Sequence, residues 1–302
     1  MKVLVTCPRV DISRDRFNIF FNKKKIDVDY IFPENQGFDS KEMIQIYDEY
    51  EMVIIGDDEI DKDFLLKAPL LKHIIKWGKG TDNIDKAVCK KENISVYNSP
   101  GNIAKYVAEH GLSLINTLNK NILINMSSVN QNKWFKDSSH SLFDKTVGFY
   151  GFGAIAREFV ELLKPFGVKV IYHDIQSLEN DFKQVSINEL FENSNVLIVS
   201  SELTNENYGE IDKKLLTKMN NESILINISR GQIINEADLI SCLENNSIRG
   251  AGLDVFTTEP LTSTSGLLNL DNVVLTCHNA SNTDQASIEV NEEIIQIMES
   301  LI

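Results

Sequence analysis

Basic charge is scarce in this sequence. Thirty Lys and Arg stand against 44 Asp and Glu, and the formal net charge is −14. Nucleic acid and anionic membrane both need a basic face, so an acid-rich surface argues against either as a partner. A small anionic molecule stays open, because it needs only a few local donors. Long apolar runs are missing too. None approaches the roughly 18 residues of a membrane span. The start, Met1-Lys2-Val3-Leu4-Val5-Thr6-Cys7-Pro8, is too short an apolar stretch for a signal peptide. Cysteine is sparse: Cys7, Cys89, Cys242 and Cys277 lie scattered, with no C-x-x-C pair. That excludes a disulfide framework, points to a reducing cytoplasmic setting and leaves no metal centre to expect. No period of 20–50 residues and no low-complexity segment is present.

What the chain has is length and alternation. Its 302 residues fit about two domains, and a chain of this size buries roughly three quarters of its unfolded surface. Short apolar runs alternate with helix-length amphipathic stretches, which predicts βαβ units and parallel sheets. The alternation occurs twice. The first series predicts strands at Lys2–Thr6, Asp27–Ile31, Met52–Ile55, His73–Lys76 and Ser95–Tyr97. A long amphipathic segment, Asn102 to Leu123, follows with helical spacing. The second series predicts Thr146–Tyr150, Val168–Tyr172, Val196–Ser200, Ile224–Ile228, Gly250–Val255 and Val273–Thr276, the strand count of a doubly wound dinucleotide-binding domain. The last stretch, Gln285–Ile302, is amphipathic with no strand to join. Packing it on the first domain makes that domain discontinuous, 1–98 with 284–302, around a coenzyme domain of 99–283.

Between the first strand and helix of the second series stands Gly148-Phe149-Tyr150-Gly151-Phe152-Gly153-Ala154-Ile155-Ala156. This is G-x-G-x-x-A. Gly151 permits the tight turn, and Gly153 lets a pyrophosphate approach the backbone. The helix N-terminus, opening at Ala154 and Ile155, then meets the phosphates with its free N–H groups and dipole. Ala156 supplies the small third position. Alone such a triplet is weak, because glycines often mark plain turns. Asp174 strengthens it, lying 23 residues past Gly151 at the end of the next strand, near the ~20 expected of a ribose-binding acid. A surface loop acid is the other reading. Ile175, Gln176 and Ser177 include no Arg or Lys to hold a 2′-phosphate, so the reading is NAD rather than NADP.

Ligands of open α/β sheets sit beyond the carboxyl ends of the strands. Three such ends in the second series carry Arg230, Glu259 and His278. The types suit carbonyl reduction. His exchanges a proton near neutral pH, a neighbouring carboxylate orients the ring and favours its protonated form, and Arg holds a carboxylate in a fork. Each residue also has a plain reading: a sheet-edge cap, a turn acid before proline, a satisfied core histidine. All three plain readings together, beside a dinucleotide turn, are the less economical account.

With these motifs the chain resembles the D-isomer-specific 2-hydroxyacid dehydrogenase family over nearly its whole length. The matching stretches are Lys76–Asp85, Asn98–Gly101 leading to Val107–His110, the Gly151 turn with Asp174, Asn227–Gly231, Gly250–Val255 with Glu259-Pro260, and His278. The resemblance implies a flavodoxin-like substrate domain in two pieces and a Rossmann NAD domain, both doubly wound α/β, with the active site in the cleft between them. It implies hydride transfer between nicotinamide and a small D-2-hydroxy acid. It also implies a homodimer formed through the coenzyme domains. In that pattern His278 is the acid–base paired with Glu259, and Arg230 holds the substrate carboxylate and carbonyl. The backbone at Gly78 and Lys79 binds the carboxylate from the other wall. Ser200 and Asp254 border the cofactor, Asp254 as a nearby acid that modulates pH behaviour or as a strand-end hydrogen-bonding group.

The departures are informative. Position 79, usually small and apolar, is Lys79. It reads either as a surface lysine or as a second positive charge for a phosphate or second carboxylate. After Pro100-Gly101 the order is Asn102-Ile103, where many members place a small residue and then Asn. The stretch from Ser200 to Glu202 lacks the usual His and Pro. The chain stops at Ile302, leaving no room for the regulatory extension of larger phosphoglycerate dehydrogenases. Two other readings use the same scaffold. One is an NAD(H)-sensing, corepressor-like binding protein. The other is formate oxidation, which needs a different His partner than Glu.

Overall fold

The structure is a computed structural model that describes residues 1–302 except Pro100, Asn102 and Phe135. The chain forms two compact units, Met1–Ile103 with Asn282–Ile302, and Ala104–Ser281.

The first unit holds strands β1 (Lys2–Val5), β2 (Asp27–Tyr30), β3 (Met52–Ile55), β4 (His73–Trp77) and β5 (Ser95–Ser99). They form one sheet in the order β2-β1-β3-β4-β5, every pair parallel. This is the flavodoxin-like order, whose winding reverses between β1 and β3. A parallel sheet is covered on both faces, so its central strands are apolar throughout; Met52 to Ile55 are all fully buried. Alternate side chains enter opposite cores. Val5, Ile54 and Trp77 meet Phe17 and Phe21 of the helix Arg14–Lys24 and Val290 and Ile294 of the helix Asp284–Leu301. Leu4, Val53 and Ile74 meet Met43 and Phe64 on the other face.

The second unit holds β6 (Thr146–Tyr150), β7 (Lys169–His173), β8 (Lys183–Gln184), β9 (Val196–Val199), β10 (Ile224–Asn227), β11 (Gly250–Leu253) and β12 (Val273–Leu275). Their order is β12-β11-β10-β9-β6-β7-β8, again all parallel. Counted from β6, this is the Rossmann order with one strand added beyond β11. The helices Ala104–Asn119 and Ala154–Leu163 cover one face, and Ile187–Asn193 and Glu236–Glu244 the other.

Three expectations change. Asn102 to Leu123 is not one helix. Asn121 adopts the left-handed conformation (φ +51°), closing Ala104–Asn119 and starting a second helix, Ile122–Asn130; Asn is among the few residues that tolerate this region. Strand β8 was not expected, because its two residues are exposed and polar, with no apolar run to mark them. Residues 99–103 and 282–283 lie in the first unit rather than with the coenzyme domain. The reason is local: the Ser99 hydroxyl and the Gly101 N–H both donate to Glu293 Oε2, each at 2.7 Å, tying the exit of β5 to the helix Asp284–Leu301.

Candidate active site and coenzyme turn

At the end of β6 the chain turns into the helix Ala154–Leu163. Gly151 sits at φ +86°, a region L side chains avoid. A Cβ there would stand 2.7 Å from the backbone of Ser201, so the position requires glycine twice over. Its N–H donates to His173 O at 2.8 Å, and the Ser200 hydroxyl donates to its carbonyl at 2.8 Å. Ser200 therefore braces the turn. Gly153 differs. Its φ of −80° is ordinary, and a Cβ there would meet nothing within 4 Å. Gly153 caps the helix without a side-chain hydrogen bond, and Gly153 and Ala154 are exposed while Ile155 is half-buried. An open glycine before a helix N-terminus that no side chain caps fits an anionic pyrophosphate. Asp174 closes the turn from β7. Its Oδ2 accepts from Phe152 N at 2.8 Å and its Oδ1 from Gln176 N at 2.9 Å. Each oxygen keeps a second lone pair available for a hydroxyl donor.

Glu259 and His278 meet. His278 Nδ1 lies 2.7 Å from Glu259 Oε2, while Glu259 Oε1 accepts from Phe256 N at 2.8 Å. Glu259 is therefore held at both oxygens, and it holds one ring nitrogen of the histidine. His278 itself stands at φ +50°, and its N–H donates to Asp254 O at 2.7 Å. Arg230 joins this group through its neighbour. A Cβ on Gly231 would overlap Phe256 C at 1.9 Å, so the Arg230-Gly231 backbone lies directly against the loop that leads to Glu259. Gln232 Nε2 donates to Thr257 O at 3.1 Å, and Thr257 N to Glu236 Oε2 at 3.2 Å, linking the same two loops. Asn227 Nδ2 donates to the Arg230 carbonyl at 2.9 Å, and Arg230 Nη1 to Ser229 O at 2.7 Å. The second unit thus gathers Arg230, Glu259 and His278 on three adjacent strand ends.

Asp254 makes the hydrogen bonds of a strand-end group, one of the two readings its sequence position gave. It is only 1% exposed. Its carboxylate accepts from Thr276 Oγ1 (2.6 Å), Asn279 N (2.8 Å) and Ala280 N (2.9 Å). Burial pushes its pKa up. The hydrogen bonds from His110, Thr276, Asn279 and Ala280 outweigh that, and the group stays below the ordinary carboxylate range. His110 Nε2 lies 3.0 Å from Thr276 Oγ1. Since the Thr276 proton goes to Asp254, the ring donates to the hydroxyl oxygen. Thr276 was not singled out by sequence; a threonine at a strand end carries no signal of its own.

In the first unit Gly78 adopts φ +93°. Its N–H donates to Ser99 O at 3.0 Å. Lys79 is exposed, and its carbonyl accepts from Asn98 Nδ2 at 2.9 Å. Asn102, whose order after Gly101 was noted, lies outside the described residues. Among the described residues, no group of three His, Cys, Asp or Glu side chains is arranged to hold a metal ion, and no helix is long and apolar enough to cross a membrane.

Residues 112–280 match the model of the D-isomer specific 2-hydroxyacid dehydrogenase, NAD binding domain. The chain belongs to the D-isomer specific 2-hydroxyacid dehydrogenase family. It is an NAD-dependent oxidoreductase acting on CH–OH donors. It is similar to the hydroxypyruvate reductase of Thermotoga maritima, 30% identical over 292 residues covering 94% of each chain. The glyoxylate reductase of Korarchaeum cryptofilum is 28% identical over 302 residues, 96% of this chain and 91% of that one. Among solved structures, the D-lactate dehydrogenase from Aquifex aeolicus complexed with NAD and lactic acid aligns with a TM-score of 0.86 at 25% identity. The alignment covers 100% of this chain and 95% of that one.

Gly231→Ala forces a methyl into the Phe256 backbone, which cannot rotate away. We expect a loss of about 2–4 kcal/mol in chemical denaturation. A variant as stable as the parent would show that the two loops are not rigidly apposed.

Proposed function

We propose that this dehydrogenase interconverts a short 2-oxo acid, of the hydroxypyruvate, glyoxylate or phosphoglycerate-related kind, and its D-2-hydroxy acid, with His278 as the acid–base. The observation that carries the reading is the 2.7 Å His278–Glu259 pair, gathered with Arg230 in a family whose relatives include a hydroxypyruvate reductase and a glyoxylate reductase.

The Gly151–Ile155 turn and Asp174 would hold the dinucleotide, whose nicotinamide would supply or accept the hydride. His278 gives its proton to the substrate oxygen during reduction and takes it back during oxidation. Glu259, fixed by Phe256 N, orients the imidazole through its 2.7 Å contact with Nδ1. Arg230 holds the substrate carboxylate in a charge-assisted fork and draws electron density from the carbonyl. Asp254 acts as a positioning residue: it holds the backbone on either side of the His278 ring. Lys79 is the second candidate contact in the first unit.

The decisive assay follows NADH consumption with glyoxylate, hydroxypyruvate, phosphohydroxypyruvate, pyruvate and 2-oxoglutarate. His278→Ala should lower kcat by about 100-fold or more, and Glu259→Gln by about 10–100-fold. Reduction needs the protonated ring, so its rate should fall as pH rises. Oxidation needs the neutral ring and should fall as pH drops. Full turnover in His278→Ala, or flat profiles in both directions, would remove His278 from this role.

The coenzyme turn is tested separately. Gly153→Ala meets no neighbour and should keep the parental Tm, yet weaken NADH binding by about tenfold, because its methyl occupies the space assigned to the pyrophosphate. Unchanged affinity in a titration of NADH fluorescence would place the phosphates elsewhere.

The assembly we propose is a homodimer through the coenzyme units, and the setting the cytoplasm. The four cysteines are free thiols, three of them buried. The helix Ile122–Asn130 buries none of its side chains. Ile122, Leu123, Ile124, Met126 and Val129 are exposed on it, and Trp134 beyond it is 79% exposed. A nine-residue helix is marginal alone in water, and a contiguous apolar surface of this kind marks an association site. Isologous pairing with a second copy would cover it. Sedimentation should give a dimer for the parent and a monomer for Ile122→Asp with Met126→Asp. A monomeric parent at micromolar concentration would dismiss the assignment.

A further inference from the structure

Asp174 is held by more than the glycine turn. It follows β7, and the chain loops out from it and returns in β8, the short edge strand of the sheet. Strand β8 runs parallel to β7, with Lys183 opposite Ile171 and Gln184 opposite Tyr172. The return is fixed at Val185, whose N–H donates to Tyr172 O at 2.8 Å and whose carbonyl lies 3.1 Å from His173 Nδ1. From that strand the Gln184 side chain reaches back across the loop. Its Nε2 donates to Asp174 O at 2.8 Å and to Gln176 O at 3.1 Å. A primary amide carries two N–H donors, and here both go to carbonyls on either side of Ile175.

The clamp acts on a carboxylate that is already tied twice. Asp174 Oδ1 accepts from Gln176 N at 2.9 Å, a local turn of the kind aspartate side chains form. Asp174 Oδ2 accepts from Phe152 N at 2.8 Å. The far end of the loop is seated on the same phenylalanine. The Phe182 ring centroid lies 5.6 Å from that of Phe152, which stacks on Tyr172 at 4.4 Å. Asn180 closes the loop, accepting from Phe182 N at 2.7 Å and donating to the Tyr172 hydroxyl at 3.1 Å. Gln184 is itself exposed at the sheet edge. An exposed side chain that gives both its donors to one turn serves the shape of that turn. Lys183 beside it points to the opposite face, as successive strand residues do, and its charge reaches Glu189 on the helix Ile187–Asn193.

Resting on the dinucleotide reading of the Gly151 turn, we infer that Gln184 is a positioning residue for the adenosine ribose, and that through Asp174 it sets the preference for NAD over NADP. An acid at the end of the second strand of a Rossmann unit accepts from the ribose 2′-hydroxyl. A 2′-phosphate in that place meets a like charge. The repulsion discriminates only while the carboxylate cannot swing aside. Gln184 removes that freedom by holding the backbone before and after Ile175.

The test titrates NADH and NADPH against the full chain by nucleotide fluorescence, without substrate. It uses the parent, Gln184→Ala, Gln184→Met, Asp174→Ala and the double variant of Gln184→Ala with Asp174→Ala. Methionine keeps the length of glutamine and donates nothing, and it serves where alanine disturbs the edge strand. Both Gln184 variants should keep a Tm near the parent's and bind NADH about 3–10-fold more weakly, the effect of one or two ordinary hydrogen bonds. NADPH affinity should hold, so selectivity falls by a similar factor. A general loosening of the unit would weaken both nucleotides together. On top of Asp174→Ala, the change at Gln184 should cost nothing further, because it acts through that carboxylate. Unchanged NADH affinity in both Gln184 variants, equal losses for NADH and NADPH, or losses that add in full in the double variant overturn the inference. A parent that binds NADH and NADPH equally well overturns it too, while the coenzyme reading stands. A parent that binds neither removes that reading, and this inference with it.

Discussion

The loop of the second unit that carries His278 depends on one buried carboxylate. Asp254 immediately follows β11, away from water, where an unpaired charge would cost several kcal/mol. The cost is met by Thr276 and by two consecutive backbone N–H groups, those of Asn279 and Ala280. His278 precedes them in the chain, and its own N–H goes to the Asp254 carbonyl. The same residue thus grips the loop on both sides of the imidazole and holds it at a positive φ that an unsupported histidine would seldom keep. Glu259 can then meet the ring with its other oxygen spent on Phe256 N. Without the Asp254 bonds, the Glu259–His278 pair would have no fixed backbone to form on.

Close approach is the second constraint, and it works through missing side chains. Gly148, Gly151 and Gly231 each stand where a methyl would meet another atom at 2.0, 2.7 and 1.9 Å. These contacts bring the helix after β8, the loop after β9 and the loop after β11 against their neighbours. Gly153 is the contrast, open rather than crowded. Three glycines let the protein pack against itself; the fourth leaves room for something else.

Much of this was legible in sequence, for a physical reason. Parallel strands buried on both faces must be apolar throughout, and turns that need glycine show glycine, so both series of βαβ units and the Gly151 turn stand out locally. The Arg230, Glu259 and His278 group was legible because strand ends of one parallel sheet share one edge. What escaped depended on distant partners or on polar residues without pattern. The edge strand Lys183–Gln184 has no apolar residue to announce it. The break at Asn121 turns on a single backbone conformation. The hydrogen bond that Gly78 N–H donates goes to Ser99 O on the adjacent strand. The Asn291 amide donates to the Arg9 carbonyl at 3.0 Å across 282 positions of sequence, and no local window contains that bond.

The helix Asp284–Leu301 supplies Val290, Ile294, Ile295 and Met298 to the core beneath β1, β3 and β4. During translation that helix leaves the ribosome after all of residues 104–281. The second unit can therefore complete its sheet while the first still shows an uncovered apolar face to the cell. Such a surface is what holding chaperones bind and what nascent chains aggregate through. The acidic character of the whole chain gives neighbouring nascent copies a mutual repulsion during that interval.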